Sequence, residues 1–306
     1  MNAKEVEAAA EVVELQPRRG TPRALFVALR PRQWTKNLLL FAGLIFAAKL
    51  GDATRWAEAT AGFVAYCAAS SAAYLLNDLR DVEADRAHPL KSRRPIACGE
   101  ISERTARRAA AALALLAVVL TGIVGLGTLA FLAAFAAIQV AYTWRLKRMV
   151  LIDVFAISAL FVVRAGAGAV AVDVRISPWL LLCTASLSLF LALGKRRGEL
   201  VLVAARSTPG RAVLDGYSLE VVDQLLGVVA SGTIVAYSLY TFTARSSNTL
   251  MVTIPFVVFG IFRYILLLHR GAGAGEEPEN VLLRDVPVLV TVALWTLTCA
   301  IVLATG

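Results

Sequence analysis

Apolar residues in this chain run in nine blocks, most of them about 17 to 25 residues long, and a helix rising about 1.5 Å per residue needs that length to cross a hydrocarbon core roughly 30 Å thick. In lipid such a block has to be helical, because nothing outside the helix satisfies its backbone N–H and C=O groups. The blocks cover residues 37–50, 57–76, 106–125, 127–143, 150–172, 178–194, 219–243, 250–268 and 285–304. They predict an all-α, polytopic membrane protein with nine transmembrane helices. With 58% hydrophobic and only 17% charged residues in 306, the chain has too little charge to cover a soluble domain of its size.

Lysine and arginine distinguish the two sides, since cytoplasmic loops carry the excess. The N-terminal segment and the loops after the second, fourth, sixth and eighth blocks hold 25 of them; the opposite side holds 4, namely Lys49, Arg55, Arg175 and Arg245. That split predicts an inner (plasma) membrane protein with a cytoplasmic N-terminus and a C-terminus outside. It also accounts for the net charge of +9: the basic excess answers to topology and anionic lipid, and no nucleic-acid motif accompanies it. Residues 1–21, rich in Glu, Ala and Arg, predict a flexible cytoplasmic tail and lack the hydrophobic segment of a cleavable signal peptide. Residues 22–306 then make a single catalytic domain, opening on "PRALFVALR" (Pro22–Arg30), which suits a short helix on the membrane surface. Cys67, Cys98, Cys183 and Cys299 lie far apart with no CxxC spacing and read as packing residues. Gly62, Gly122 and Gly166 permit tight helix contacts within or between subunits, which leaves a homo-oligomer open. Arg164 and Arg263 fall at membrane depth, where an ionisable side chain is a functional candidate. For Arg263, near its helix end, a structural partner is the preferred reading.

The loop after the second block reads "NDLRDVEADRAHPLKSRRPIACGEIS", residues 77–102. If the helix continues past Leu76, Asn77, Asp81 and Asp85 recur every fourth residue and Asp78 stands beside them. Carboxylates that close need a compensating cation, and an all-oxygen donor set selects a hard one, Mg²⁺ before Zn²⁺. Mg²⁺ takes few protein carboxylates together with phosphate oxygens, which points to a phosphorylated or diphosphorylated substrate. Lys91, Arg93 and Arg94 follow at once, donors for phosphate oxygens the metal does not hold. A solvated loop obeying the positive-inside rule explains those cations but not the aspartate spacing.

A second cluster, "LGKRRGEL", closes the sixth block with Lys195, Arg196, Arg197 and Glu199. It either anchors a helix end at the interface or binds a second phosphate. Asp215, Tyr217 and Asp223 near the seventh block, and Tyr142, Arg145, Lys147 and Arg148 after the fourth with Asp153 just beyond, are further candidates for the same cavity.

Asn77, Asp78, Asp81 and Asp85 reproduce the pattern NDxxDxxxD, and Arg94, Pro95, Ile96, Ala97, Gly99, Ile101 and Ser102 reproduce RPIAxGxIS. In both, the chain resembles the UbiA-type intramembrane prenyltransferase superfamily. The resemblance runs from about residue 24 to the end and implies a nine-helix bundle with a cytoplasm-facing active-site cavity. Aromatic prenyltransferases of that superfamily carry a second aspartate cluster, DxxxD in outline, between the sixth and seventh helices; here "KRRGEL" stands in its place. That replacement, with "RPRQWTKN" ahead of the first block, looks like the branch that transfers 5-phosphoribose from phosphoribosyl diphosphate to decaprenyl phosphate, toward the arabinose donor of cell-wall arabinan. The resemblance implies that Asp78, Asp81 and Asp85 are the catalytic residues, holding Mg²⁺ on the donor diphosphate. It places Lys36, Asn77, Lys91 and Arg94 on donor or lipid phosphates, and Lys195 and Arg196 on a phosphate held without metal. Glu199 would hydrogen-bond ribose hydroxyls, and Tyr142, Lys147 and Tyr217 complete the expected substrate-binding set. The acceptor, a phosphate monoester, is already anionic, so neither His88 nor His269 is needed as a base.

Two other readings remain. One is a prenyltransferase of the same superfamily with an aromatic or other acceptor, against which the missing second aspartate cluster counts. The other is a transporter or binding protein for anionic lipids, which leaves the aspartate spacing unused and lacks the inverted repeat of many transporters.

Overall fold

The computed structural model describes residues 20–46, 51–87, 91–206, 212–243, 248–270 and 284–305. The regular elements among them are all helical. Eight of the helices are long and apolar enough to cross a membrane: Ala53–Arg80, Glu103–Val124, Leu126–Trp144, Ile152–Ala171, Pro178–Ala204, Leu219–Thr243, Asn248–His269 and Val286–Leu303. Large apolar side chains stand exposed on them, among them Ile123, Leu126, Val228 and Val286. In water such surfaces are a liability; against lipid tails they are what a spanning helix requires. The chain is a multi-pass membrane protein.

These eight answer to eight of the nine sequence blocks. The block expected at 37–50 takes a different form: a 3₁₀ run over Pro31–Phe41 passes into a short α-helix, Ala42–Phe46, and residues 47–50 lie outside the described set, as does the expected tail up to residue 19. Pro31, with no N–H of its own, opens the tight run. A second departure concerns the sixth block, expected to close at 194. Its helix continues to Arg206, 29 residues in all and so about 43 Å at 1.5 Å per residue. Lys195 to Glu199 therefore lie on a helix rather than on a loop.

Contacts within the chain define two compact units, one drawn from Met1–Pro31 and Ser70–Ala114, the other from Arg32–Ala69 and Leu115–Gly306. In the first, the helix Thr21–Ala28, with proline in its opening turn, buries Ala24 and Ala28 against Ala72, Leu75, Ile96, Ile101, Ala106 and Ala110. Ser71 Oγ donates to the Leu29 carbonyl at 3.0 Å, tying the end of this surface helix to the long helix Ala53–Arg80.

In the second unit, Phe190, Leu193, Leu214, Val222, Leu226, Tyr264 and Leu268 make the largest core. Gly125, at φ 153°, permits the abrupt turn between Glu103–Val124 and Leu126–Trp144, and Thr128 Oγ1 closes it by donating to the Thr121 and Gly125 carbonyls. The segment 31–46 lies backbone to backbone on Ile152–Ala171. A Cβ at Gly168 would collide with the Leu40 carbonyl oxygen, and one at Gly43 would come within 2.8 Å of Ala169 Cα. Gly168→Ala should therefore lower stability by about 1–3 kcal/mol, the usual range for overpacking. Gly122→Ala, where nothing lies within 4 Å, should be neutral or raise stability through better helix propensity. Melting curves of both variants in detergent check this pair of opposite signs.

Candidate active site

The helix Ala53–Arg80 is interrupted at Asp81 and resumes over Val82–Ala87, yet its hydrogen-bond register survives. The Asp81 N–H donates to the Asn77 carbonyl at 3.0 Å and the Asp85 N–H to the Asp81 carbonyl at 2.8 Å. Residues seven apart then share a face, and it is Asp78 and Asp85, each 3% exposed, that form the buried pair. Asn77 and Asp81 are half-buried.

What holds the pair is the loop that follows. Gly99, at φ 77°, closes a tight turn in which the Cys98 N–H bonds the Arg94 carbonyl at 2.9 Å and the Ile101 N–H the Pro95 carbonyl at 3.1 Å. Ile96 and Ile101, each 2% exposed, anchor that turn in the core, and Arg86 Nε donates to the Ala97 carbonyl at 3.2 Å. The turn aims Arg94 at the aspartates. Its Nη1 lies 2.6 Å from Asp85 Oδ2 and 3.1 Å from Asp78 Oδ1. A second guanidinium, Arg30, comes from the end of the surface helix: its Nη2 lies 2.7 Å from Asp78 Oδ1, and its Cζ sits 4.7 Å from the centre of the Tyr74 ring. Arg30, Asp78, Arg93 and Arg94 line a cleft of about 250 Å³ whose apolar walls are Val27, Ala28 and Pro95. Lys91 stands exposed in the short turn Lys91–Arg93, and His88 lies outside the described residues.

Among the described residues, no three acidic, histidine or cysteine side chains gather closely enough to hold a metal by themselves. The two buried carboxylates nevertheless converge on one cationic nitrogen, so a single cation position is within reach of both. Hard oxygen donors, few in number, suit Mg²⁺, which takes one or two carboxylates and completes its shell with substrate phosphate oxygens and water. On that donor chemistry Asp78 and Asp85 fit the ion, with Asp81 beside them.

The remaining expected residues belong to the second unit. Asp153, fully buried, accepts from Arg196 Nε at 2.7 Å and from the Tyr217 hydroxyl at 2.7 Å. The Tyr217 oxygen in turn accepts from the Leu151 N–H at 2.7 Å. Leu151, at φ 65°, stands ahead of the helix Ile152–Ala171. Burial, reinforced by donation to Asp153, pushes the Tyr217 phenol well above its ordinary range and keeps the proton on the oxygen. Arg196 also pairs with Glu199 through Nη1. Its side chain is 1% exposed, so a residue expected on a substrate phosphate is instead enclosed by two carboxylates. Arg197 turns elsewhere, to Asp223 at 2.6 Å and the Leu268 carbonyl at 2.9 Å. Lys195, Tyr142 and Lys147 are half-buried, and Lys36 Nζ bonds Gln33 Oε1 at 2.6 Å.

The two membrane-depth arginines are both accommodated. Arg263 pairs with Asp285 at 2.9 Å, the structural role expected of it. Arg164 donates to Asn37 Oδ1 at 2.8 Å and to the Leu160 carbonyl at 3.0 Å, between the rings of Phe135 and Phe161. Asn37, wholly buried, closes the segment "RPRQWTKN" and has no role of its own in the sequence reading.

The model of the UbiA prenyltransferase family matches residues 38–269. The chain belongs to that family. It is 36% identical to the decaprenyl-phosphate phosphoribosyltransferase of Mycolicibacterium smegmatis over 92% of this chain and 94% of that protein. To the Mycobacterium tuberculosis protein of the same name it is 32% identical, over 97% and 99%. Among solved structures, a UbiA homologue from Archaeoglobus fulgidus bound to GPP and Mg²⁺ superposes with a TM-score of 0.70 at 18% identity, covering 92% of this chain and 100% of that one. Read within the UbiA family, the NDxxDxxxD segment supplies the buried carboxylate pair and RPIAxGxIS the turn that sets Arg94 against it. Arg30 lies outside NDxxDxxxD and RPIAxGxIS and opens the segment "RPRQWTKN". Its sequence signal was an arginine directly before Pro31 at the predicted end of the surface helix.

Proposed function

We propose that the protein transfers 5-phosphoribose from phosphoribosyl diphosphate to a polyprenyl phosphate such as decaprenyl phosphate, releasing diphosphate. The observation that carries the reading is the near full-length likeness to the two phosphoribosyltransferases, and the site chemistry supports it. Asp78, Asp81 and Asp85 hold Mg²⁺ against the donor diphosphate, while Asn77, Lys91 and Arg94 donate to its oxygens. Bound there, the ion neutralises charge that develops on the departing diphosphate. The acceptor phosphate oxygen forms the new bond to the anomeric carbon as the bond to diphosphate breaks, and the diphosphate leaves with the electron pair. The acceptor oxygen is already anionic, so no base is required; fixed cations supply the electrostatic help. Lys36, Tyr142, Lys147 and Lys195 serve the acceptor phosphate. Asp153, itself held by the Tyr217 hydroxyl, keeps Arg196 in place, and Arg196 positions Glu199 for the ribose hydroxyls. Residues 22–306 act as one catalytic domain, with 31–46 beginning a ninth crossing. The cytoplasmic N-terminus and outward C-terminus in the plasma membrane rest on the 25 to 4 split of basic residues. The product is a phosphoribosylated lipid suited to cell-wall arabinan synthesis.

In nanodiscs, the purified protein should form phosphoribosylated lipid from the two substrates only when Mg²⁺ is present. Consumption of a prenyl diphosphate with an aromatic acceptor, and no phosphoribosyl product, would replace this reading with prenyl transfer.

A further inference from the structure

We infer that Arg30 is a donor-binding residue which neutralises Asp78 in the free enzyme and turns to the diphosphate when the metal takes the carboxylate. The inference rests on the reading of Asp78 and Asp85 as the metal-diphosphate site, and it does not depend on which group the diphosphate carries.

The backbone supplies the first observation. Arg30 follows Leu29, the C-terminal cap of the surface helix, and has φ 55°. This left-handed position just past a helix end is ordinarily given to glycine, because a side chain there is strained. Here it carries the longest of cationic side chains, held in a strained backbone conformation and aimed at a functional cluster.

The second observation is where that side chain goes. Asp78 Oδ1 receives two guanidinium nitrogens, Arg30 Nη2 at 2.7 Å and Arg94 Nη1 at 3.1 Å. Asp78 and Asp85, both buried, are thus balanced charge for charge by Arg30 and Arg94. A divalent ion arriving alone adds two positive charges to a site already neutral, and has to displace a guanidinium from the oxygen it needs. A divalent ion arriving with a diphosphate brings its own negative charge, and the guanidinium it displaces finds phosphate oxygens, which it binds in the same forked geometry as a carboxylate. Arg30 is suited to make that move. Its side chain is 29% exposed where Asp78 is 3%. It borders the same cleft as Arg93 and Arg94, and the Tyr74 face supports the guanidinium from behind.

The consequence is a coupling: the metal alone binds weakly, and metal with diphosphate binds well. Arg30→Gly tests it without threatening the fold, since glycine is the relaxed residue at that turn. The probes are Mn²⁺ alone, followed by the loss of its free-ion EPR signal, and inorganic diphosphate titrated at fixed Mn²⁺. Relative to wild type, Arg30→Gly should bind Mn²⁺ alone several-fold more tightly. It should bind diphosphate in the presence of Mn²⁺ about tenfold or more weakly, the loss of one charge-assisted hydrogen bond. Arg30→Lys, which keeps the charge and loses the fork, should fall between. If Arg30→Gly binds Mn²⁺ no more tightly than wild type, or loses nothing for diphosphate, Arg30 is a structural partner of Asp78 and the inference fails. These binding results stand apart from the phosphoribosyl assay: absence of that turnover with the coupling intact would overturn the substrate and leave the role of Arg30 standing.

Discussion

Asp85→Asn should reduce turnover about a thousandfold while the protein remains folded, because the amide matches the carboxylate in shape but not in charge, and removing one fixed electrostatic element of such a site usually costs 10²–10³ in rate. Asp78→Asn should do the same. In both variants higher Mg²⁺ should recover only part of the activity, since the amide keeps one oxygen but not the charge that holds the metal and offsets the site's cations. Asp78 and Asp85 are the buried pair, bound to Arg94 at 3.1 and 2.6 Å. Either substitution leaves Arg94, and for Asp78 also Arg30, with excess positive charge, so both should melt earlier than wild type. Asp81 is half-buried, and Asp81→Asn should cost activity with little change in melting. Turnover against Mg²⁺ concentration, with melting curves on the same preparations, separates the three. Full activity of Asp85→Asn at wild-type Mg²⁺ dependence would remove the aspartate pair from the catalytic centre.

That distinction among three aspartates shows where sequence reasoning stops. Spacing was enough to see that Asn77, Asp78, Asp81 and Asp85 belong to one helical surface, because a period near 3.6 is a property of the backbone. Which of them face inward depends on the turn at 94–101, and that turn depends on Gly99 at φ 77° and on Ile96 and Ile101 finding a core. Those are long-range facts. The same holds for "KRRGEL". Its charges were visible, but its place on a helix extended to Arg206, and its partner Asp153 more than forty residues earlier, were not. Eight crossings were legible from apolar length alone. The segment 31–46 was not, since its 3₁₀ form accompanies a backbone contact with Gly168 that no local pattern announces.

The basic cluster poses a choice between anchoring a structure and binding a phosphate, and the buried pair within it decides how to ask. Arg196→Met should destabilise the protein by about 3–5 kcal/mol, the usual result of stripping one partner from a buried ion pair and leaving the other charge without its counterpart. Asp153 would remain at 0% exposure with only the Tyr217 hydroxyl and no cation. Asp153→Leu should do comparable harm from the opposite side. The double variant Asp153→Leu with Arg196→Met should recover most of the loss, because apolar side chains of similar volume often replace a buried pair at little cost. Arg197→Met, whose partner Asp223 is 35% exposed, should change stability by roughly 1 kcal/mol or less. Melting midpoints of the four variants in one detergent test the cycle. Activity of the double variant then carries the functional half. Enclosed by Asp153 and Glu199, Arg196 should contribute to turnover through the position of Glu199 alone, so the double variant should keep activity within about tenfold of wild type, the worth of one displaced hydrogen bond. Lys195→Ala should fall further, through a raised KM for the lipid phosphate. A folded double variant with no turnover would instead place Arg196 among the groups that bind substrate, and the enclosure seen for it would then have to open when the lipid phosphate arrives.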